Sequence, residues 1–330
     1  MKTIWHLIGD RRPGGSNHLV RHLLNSSLGE SFASQTLTLE QGLKRVKGEL
    51  PDAIIFHYAS AWKYLPALWR LQTMAPVYIC EHHYCAGFEQ HQVKSLRRFR
   101  LLLKTAYGLA DGVISVSQAQ KQWLIGHKLV HPAKVKVIRP ASPLANFLAL
   151  PLKPPSSTLT LGVYGRFAPQ KGFDLLLKAI ANLPSDLPIR IKLGGYGEDE
   201  ALIRQLTAVL PVVQLVGPVD DVPTFLADCD GVIIPSRWEP WGLVALEAKA
   251  AGKGIIATAV DGLPEQVDGF GLLCPPEQME MLTRAIAKVS PEQLQQWGQE
   301  GRIAVANAWE KCVQEWHDYL TAAIEWGHGS

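Results

Sequence analysis

The chain has 330 residues, of which 47% are apolar and 19% are charged. This length fits one large domain or two medium ones, and the composition excludes a disordered chain and a membrane-spanning one. No stretch approaches the length of an apolar transmembrane helix. We expect the first apolar run, residues 3–9, to be a strand and not a signal peptide, because it is short and charges follow it closely.

The formal net charge is +3, but the two halves of the chain differ sharply. Residues 1–150 carry 19 Lys and Arg against 8 Asp and Glu, giving +11, and the remainder carries 14 against 22, giving −8. This asymmetry predicts that the first half faces an anionic partner. We do not expect that partner to be nucleic acid.

The five cysteines are scattered and odd in number, which favours free thiols in a reducing compartment, and we expect a cytoplasmic protein. Cys80, His82, His83 and Cys85 crowd into the sequence CEHHYC, which raises the question of a zinc site. The spacing is tighter than that of the usual structural zinc sites. We therefore predict no metal and no cofactor.

Ionisable residues follow the short buried strands predicted in the first half. His57 follows strand 53–56, and His82 and His83 follow strand 77–80. Open α/β sheets place their ligands just beyond the carboxyl ends of parallel strands. Gly14 and Gly15, after the first strand, allow the backbone to approach a phosphate, with an ordinary turn as the alternative. Further strands are predicted at 112–116 and 136–138.

Residues 91–107 are predicted to form a basic helix. Arg97, Arg98 and Arg100 lie on it with Lys94 and Lys104, interleaved with leucines at 101–103. This pattern is typical either of a solvated helix face or of a surface for anionic lipid or an acidic acceptor. Peripheral contact with an anionic membrane is therefore one hypothesis for the first half.

A proline-rich segment from Pro140 to Ser157 predicts a linker, after which strands and helices alternate again. Alternation in both halves predicts two doubly wound, Rossmann-like α/β domains facing across a cleft. We place the domains at 1–148 and 159–302, the linker at 149–158 and a closing helical segment at 303–330. The second-half strands are predicted at 159–164, 189–193, 213–216, 231–234, 255–259 and 271–274.

The stretch 231–251 carries the strongest site pattern. A buried strand leads through a turn to a helix that begins near Gly242, and a helix N-terminus favours an anion. Glu239 and Glu247 frame the turn and could accept hydroxyl groups, which predicts a ligand with phosphate in the middle and hydroxyls at both ends. A capping Glu239 and a surface Glu247 are the alternative. Arg166 and Lys171 lie in a loop after an earlier strand and add two cations.

These residues together resemble the family-four retaining glycosyltransferases of the GT-B fold. The motifs follow the order and spacing of that family through the second half and are thinner in the first half, and the last helix is expected to cross back onto the first domain. The second-half motifs are GRFAPQKGFDLLLKAI, GGYGEDEALIRQL, VQLVGPV, IIPSRWEPWGLVALEAKAAGKGIIAT and DGLPEQV.

The resemblance implies a role for each matching residue on the donor side. Arg166 and Lys171 hold the donor diphosphate and stabilise the leaving phosphate, Glu239 accepts hydroxyls of the transferred sugar, and Glu247 binds the ribose. Backbone groups that approach the sugar or the phosphates are implied at Gly14, Gly15, Gly165, Gly195, Trp241, Gly242 and Leu243.

The resemblance also implies that His82 lies near the reacting carbon, with His83 as the alternative, and His57 is a further candidate on the acceptor side. The implied function is transfer of a sugar from a nucleotide-diphosphate sugar to a carbohydrate or lipid-linked acceptor, with retention and without a metal. A catalytically silent sugar-nucleotide-binding protein and a GT-B nucleotide-sugar epimerase are the competing hypotheses. The sequence leaves the donor base, the sugar and the acceptor open.

Overall fold

The computed structural model describes residues 1–9, 15–44 and 50–327. The chain forms two compact units, which we call unit 1 and unit 2. Unit 1 comprises Met1–Ser142 with Trp309–Ser330, and unit 2 comprises Pro143–Ala308. The chain passes from unit 1 to unit 2 inside the proline-rich segment. The predicted domain bounds themselves stay predictions.

Unit 1 is built on a six-stranded sheet in which every pairing is parallel, in the order β2-β1-β3-β4-β5-β6. The central strands are runs of Ile, Val and Phe buried on both faces, as parallel strands covered by helices require. The strands are β1 (Lys2–Leu7), β2 (Phe32–Leu37), β3 (Ala53–Phe56), β4 (Val77–Glu81), β5 (Gly112–Ser115) and β6 (Val135–Val137).

Helices connect these strands, and the last helix of the chain also belongs to unit 1. Trp316 on that helix is fully buried, and the Tyr78 hydroxyl on β4 donates a hydrogen bond to the Ala323 carbonyl at 3.1 Å. The helices are α1 (Gly15–Leu24), α2 (Ser27–Ser31), α3 (Leu39–Lys44), α4 (Leu65–Gln72), α5 (Ala86–Gln92), α6 (Leu96–Leu109), α7 (Gln118–Gly126) and, at the end of the chain, α16 (Ala308–Gly327).

Unit 2 repeats the plan with a second parallel sheet, in the order β12-β11-β10-β7-β8-β9. The strand order reverses between β7 and β10, and ligands of doubly wound sheets bind at such a switch point. The strands are β7 (Leu159–Arg166), β8 (Ile189–Tyr196), β9 (Val213–Gly217), β10 (Gly231–Ile234), β11 (Gly254–Thr258) and β12 (Gly271–Cys274).

The helices of unit 2 cover both faces of its sheet. Helix α9 buries Phe173, Leu176, Leu177 and Ile180 against the strands, following the spacing of a single helical face. The helices are α8 (Ala145–Leu148), α9 (Phe173–Ile180), α10 (Glu200–Thr207), α11 (Val222–Ala227), α12 (Leu243–Ala250), α13 (Leu263–Val267), α14 (Met279–Lys288) and α15 (Pro291–Val305).

The fold confirms two parallel Rossmann-like sheets and corrects three element predictions. The helix predicted at 91–107 is two helices, because residues 93–95 leave the helical conformation before α6 begins. The closing helical segment predicted at 303–330 is likewise divided, between α15 and α16. Edge strand β2 was not predicted, since FASQTL mixes polar and apolar residues and is partly exposed.

Among the described residues, no helix has both the length and the apolar character needed to cross a bilayer.

Helix α15 packs so closely on the segment after α12 that only glycine fits at the contact. A Cβ atom added at Gly298 would lie 2.1 Å from the Gly252 carbonyl oxygen. We expect Gly298→Ala to lower the free energy of unfolding by about 1–3 kcal/mol through overpacking. Gly108 on α6 has nothing within 4 Å of such an atom, so Gly108→Ala should be stabilising by about 1 kcal/mol through helix propensity. Thermal unfolding measures both, and equal melting temperatures would contradict the close contact.

Candidate functional site

Two loops meet at the carboxyl-end edge of the unit 2 sheet, one after β7 and one after β10. The first passes through a 3₁₀ turn, Pro169–Lys171, to Gly172, which has a left-handed φ of 64°. A Cβ atom at Gly172 would lie 2.1 Å from the Pro235 carbonyl oxygen, and Arg237 N donates to Gln170 O at 2.8 Å. The sequence thus brings the two loops into direct backbone contact at the switch point of the sheet.

Lys171 and Glu239, which lie on the two different loops, form an ion pair. The side chains are 21% and 10% exposed, so the pair is largely withdrawn from water. Glu239 is held further by its backbone, because its N–H donates to Asp261 Oδ2 at 3.0 Å and its carbonyl accepts from Gly262 N at 3.1 Å. The structure therefore brings together two of the predicted catalytic residues, separated by 68 positions in the chain.

The turn that leads into α12 is fixed by a buried amide. Gly242 occupies the position before the helix with a left-handed φ of 91°. The Gln266 side chain donates from Nε2 to the Trp241 carbonyl at 2.7 Å and to the Gly242 carbonyl at 2.8 Å. The N–H groups that open the helix, at Leu243 and Val244, have no acceptor inside the helix and are suited to an anion. The Ala245 N–H already donates to the Gly242 carbonyl at 3.1 Å.

Glu247 lies one turn into α12, and its carboxylate accepts a hydrogen bond from the Tyr164 hydroxyl on β7 at 2.7 Å. Part of Glu247 reaches the surface, yet the protein atoms around its carboxylate raise its pKa to about 7, against an ordinary value of 4.5. The Tyr164 hydrogen bond and the Lys171 charge oppose this rise without cancelling it. Glu247 is thus a half-buried acceptor and not the free surface residue of the alternative interpretation.

Arg166 and the two predicted glycines lie on the paired ends of β7 and β8. Gly165 pairs with Gly195, and a Cβ atom at Gly195 would lie 2.0 Å from the Gly165 carbonyl oxygen. The Arg166 side chain is exposed, and its Nη2 lies 3.5 Å from Gln170 Oε1. Arg166, the cation closest to Lys171 in the sequence, is therefore accessible to an incoming anion.

Three side chains that build this site were not predicted from the sequence. Tyr164 and Gln266 look like core and helix-surface residues in the sequence, and no local signal marks them. Arg237 makes two hydrogen bonds of 2.8 Å to the Asp174 carboxylate, and the pairing lowers the pKa of Asp174 and raises that of Arg237. Because 63 residues separate this pair, sequence spacing could not reveal it.

In unit 1 a row of three histidine rings starts at His82 and runs inward. His82 Nε2 lies 2.9 Å from His57 Nδ1, and His57 Nε2 lies 3.1 Å from His6 Nδ1. Consecutive rings lie edge to edge and nearly parallel, with centroids 5.2 Å and 5.4 Å apart and interplanar angles of 18° and 21°. Burial lowers the pKa of His82 to about 3 and of His6 to about 4, and that of His57 falls well below 6.5, so all three rings are neutral near pH 7.

The loop that carries His82 is fixed by Glu81, which is 1% exposed. Its carboxylate accepts hydrogen bonds from His83 N at 2.8 Å, Tyr84 N at 3.0 Å and the Tyr107 hydroxyl at 2.7 Å. The backbone therefore turns at Glu81, so that His82 joins the histidine row while the His83 side chain is exposed. His82 and His83, which the sequence left as alternatives, therefore lie in different environments.

The remaining predicted residues of unit 1 are placed differently from one another. Gly15 begins α1, and Gly14 lies outside the described residues. Arg97 and Arg98 are exposed on α6. Arg100 instead makes a two-point contact with the buried Glu89, with Nε donating to Oε2 at 3.0 Å.

The raised pKa of Glu247 makes stability depend on pH. The folded state holds a proton on Glu247 up to about pH 7, whereas the unfolded chain releases it near 4.5, so raising the pH through this window destabilises the protein. We expect Glu247→Gln to gain up to about 3 kcal/mol relative to the wild type across the window. Denaturant unfolding at several pH values measures the gain, with Glu280→Gln, an exposed position in the same unit, as the control. A constant difference at all pH values would contradict the assignment.

The chain is similar to known glycosyltransferases along most of its length. A family model described as Glycosyltransferase Family 4 matches residues 10–144, and one described as Glycosyl transferases group 1 matches residues 151–303. An uncharacterized glycosyltransferase of Methanocaldococcus jannaschii is 36% identical over 45% of this chain and 44% of the relative. A D-inositol 3-phosphate glycosyltransferase of Kineococcus radiotolerans is 34% identical over 50% of this chain and 46% of the relative. The chain thus spans less than half of the length of these two relatives.

Solved structures match over nearly the whole chain at low sequence identity. Sucrose-phosphate synthase from Thermosynechococcus elongatus has a TM-score of 0.79 and 22% identity, covering 98% of this chain and 100% of that one. Anabaena HepE in complex with UDP-glucose has a TM-score of 0.74 and 17% identity, with coverage of 98% and 100%. The first half of the chain therefore matches the Glycosyltransferase Family 4 model and the second half the Glycosyl transferases group 1 model, on the GT-B fold.

Proposed function

We propose that this protein transfers a sugar from a nucleoside-diphosphate sugar to an acceptor, with retention of the anomeric configuration and without a metal ion at the donor phosphates. The observation that carries the proposal is the Lys171–Glu239 ion pair beside the start of α12. A cation for phosphate and a carboxylate for sugar hydroxyls are adjacent at the switch point of a doubly wound sheet. A nucleotide sugar presents both chemistries side by side.

The cations and the start of α12 would bind the diphosphate. Cleavage of the bond between the anomeric carbon and the phosphate oxygen builds negative charge on the leaving diphosphate. Lys171, Arg166 and the first N–H groups of α12 would stabilise that charge as it develops, and fixed charges in a partly dry site are effective at this. These groups supply positive charge without a divalent ion, which supports the metal-free part of the proposal.

The two glutamates would bind the ends of the donor. Glu239 is adjacent to Lys171 and would accept hydroxyls of the transferred sugar. Glu247 lies further along α12 and would accept the ribose hydroxyls, with Tyr164 holding its carboxylate in place. HepE was solved with UDP-glucose, so UDP-glucose is the first donor to test here.

Unit 1 would supply the acceptor side. His82 is neutral near pH 7, and its ring is held by His57, so it can exchange hydrogen bonds with a sugar without carrying a charge. In the proposed front-side mechanism, the leaving phosphate takes the proton of the acceptor hydroxyl as the new bond forms. A lipid-linked or anionic acceptor would match the excess of positive charge in this half of the chain.

Removing the cation of the ion pair tests the donor mechanism. We expect Lys171→Ala to lower kcat about 100-fold, equivalent to about 2.7 kcal/mol of barrier. Lys171→Gln, which keeps a hydrogen-bond donor toward Glu239 but loses the charge, should fall to a similar level. Lys178→Ala removes a more exposed lysine seven residues away and should retain activity. Donor hydrolysis and transfer measure kcat, with circular dichroism to verify folding. Wild-type kcat in both folded Lys171 variants would exclude the cation from the mechanism.

Helix α6 supports peripheral contact with an anionic membrane, although not through all of the predicted residues. Leu102 and Leu103 are buried in the core, so the interleaved leucines of the prediction do not all face outward. Leu96 and Leu101 are exposed instead, at 47% and 57%, and the exposed cations lie beside them. Apolar side chains flanked by cations are suited to the interface of an anionic bilayer. The exposed cations of this face are Arg97, Arg98 and Lys104.

We expect the wild type to cosediment with vesicles that contain anionic lipid at low salt, and less so at high salt. The double variant Arg97→Gln/Arg98→Gln should lose about 2 kcal/mol of binding, since each surface cation adds about 1 kcal/mol. Arg100 is left unchanged because Glu89 already pairs with it. A charge-matched control, Lys136→Gln/Arg190→Gln, removes two exposed cations elsewhere. Absence of wild-type binding, or an equal loss in the control, would contradict this surface.

A further inference from the structure

Three side chains of unit 1 that could bind a metal lie together beside the histidine row. His57, Cys80 and His82 each offer one ligand atom, and these atoms all lie within 4.8 Å of one another. His57 is 4% and Cys80 2% exposed, whereas His82 is partly exposed. Such a set of two imidazoles and one thiol is more specific than a surface group of carboxylates, because imidazole and thiolate are preferred zinc ligands. We propose that His57, Cys80 and His82 bind one Zn²⁺ ion.

The spacing of the ligand atoms fits this ion. His57 Nδ1 and His82 Nε2 face each other at 2.9 Å, where they share one hydrogen bond. Tetrahedral zinc with Zn–N bonds of about 2.0–2.1 Å separates two ligand nitrogens by about 3.3 Å. The two nitrogens would need to separate by only a few tenths of an ångström, and both rings, which face each other nearly in line, would need to tilt so that their lone pairs point at one ion. The Cys80 sulfur supplies a third position. The fourth position would be open on the exposed side of His82, as in zinc sites that keep one position for water or another ligand.

His6 provides the outer contact that zinc-binding histidines commonly have. Ligation through His57 Nδ1 would place the N–H of His57 on Nε2, which lies 3.1 Å from His6 Nδ1 and would donate to it. That tautomer leaves the lone pair of His57 Nδ1 free to bind the ion, and the contact fixes the orientation of the ring. In His82 the proton would be on Nδ1, leaving Nε2 to the ion.

The proton balance of binding is simple. Both imidazoles bind as neutral rings, the Cys80 thiol loses its proton, and one proton is released to solvent for each ion bound. Burial raises the pKa of the Cys80 thiol well above 9, so the thiol remains protonated until the ion replaces the proton. The bound site would carry a net charge of +1, which a water-accessible fourth position can partly solvate.

The proposed ligands differ from the four Cys and His residues of the CEHHYC motif. Within CEHHYC, Cys85 caps α5, with its sulfur 3.5 Å from Phe88 N, and His83 is exposed. Cys80 and His82 instead combine with His57, which lies on the neighbouring strand end. This division gives matched controls for Cys80 and His82, because Cys85 and His83 are chemically identical neighbours that should not bind.

Cobalt reports thiolate binding directly through its absorption, so we propose to titrate chelator-treated full-length protein with Co²⁺. We expect a thiolate-to-cobalt charge-transfer band that saturates at one equivalent and is displaced by Zn²⁺. Cys80→Ser should abolish the band, and His57→Asn should weaken binding at least 10-fold. Cys85→Ser and His83→Asn should retain both the band and the affinity. Absence of the band in the wild type, or equal loss in Cys85→Ser, would overturn the proposal.

A second measurement keeps the test decisive if the buried Cys80→Ser variant does not fold. His82→Asn changes a partly exposed residue, and Zn²⁺ should raise the melting temperature of the wild type and of His83→Asn but not that of His82→Asn. An equal rise in all three proteins would overturn the assignment of ligands.

The expected effect of Zn²⁺ on sugar transfer rests on the proposed function. If His82 lies beside the reacting carbon, Zn²⁺ at this site would inhibit transfer at saturating donor, and Cys85→Ser would be inhibited like the wild type. The cobalt band and the zinc-dependent melting temperature need no sugar donor. Failure of the glycosyltransferase proposal therefore leaves those two results intact, and failure of the metal proposal leaves the Lys171 results intact.

Discussion

The ion pair between Lys171 and Glu239 is the contact on which the unit 2 site depends. It joins the loop after β7 to the loop after β10, which are linked further by hydrogen bonds from Gln170 Nε2 to the Trp238 carbonyl and from Arg237 to the Pro169 carbonyl. A carboxylate that is 10% exposed would be costly to leave unpaired, because its desolvation is repaid only by a close cation and hydrogen bonds. The pair therefore fixes the positions of both loops. A site that is already in place needs little reorganisation when a ligand arrives.

Charges elsewhere in the two units follow the same rule of local pairing. Arg237 is paired with Asp174, and Arg100 with Glu89, so two cations that look available in the sequence serve the fold. Arg166 differs, since it is exposed and lies at hydrogen-bond limit from Gln170. Counting the charges along the chain therefore overestimates the positive surface that is offered to a ligand. The contacts of each guanidinium group decide whether that group is available to a ligand.

The sequence was informative where a residue's environment follows from its neighbours in the chain. Strands β3 and β10 are uniform apolar runs between turn residues, and their bounds were predicted without error. Edge strand β2 was missed because one exposed side removes the apolar signal. The helix predicted from residue 91 failed because propensity and charge continue through residues 93–95 while the backbone does not.

The site was predictable as a set of residues and not as a set of contacts. Glycines and charged residues at strand ends marked the loops, since topology brings those ends to one edge of a sheet. The partners of Glu239 and Glu247 come from 68 and 83 positions away, and no local pattern encodes such pairs. The same limit explains why the crowded CEHHYC motif does not reveal the group of His57, Cys80 and His82: His57 is close to Cys80 only because strand β3 lies beside strand β4.

If Lys171 binds the donor diphosphate as proposed, its ion pair with Glu239 has a consequence for the catalytic cycle. The diphosphate would compete with Glu239 for the lysine, and Glu239 would then need other hydrogen-bond donors because it is largely buried. The hydroxyls of the intact sugar supply them. After transfer, the nucleoside diphosphate alone still attracts Lys171 but offers Glu239 no sugar hydroxyls. The ion pair then regains its advantage, so one contact would favour both binding of the whole donor and release of the spent one.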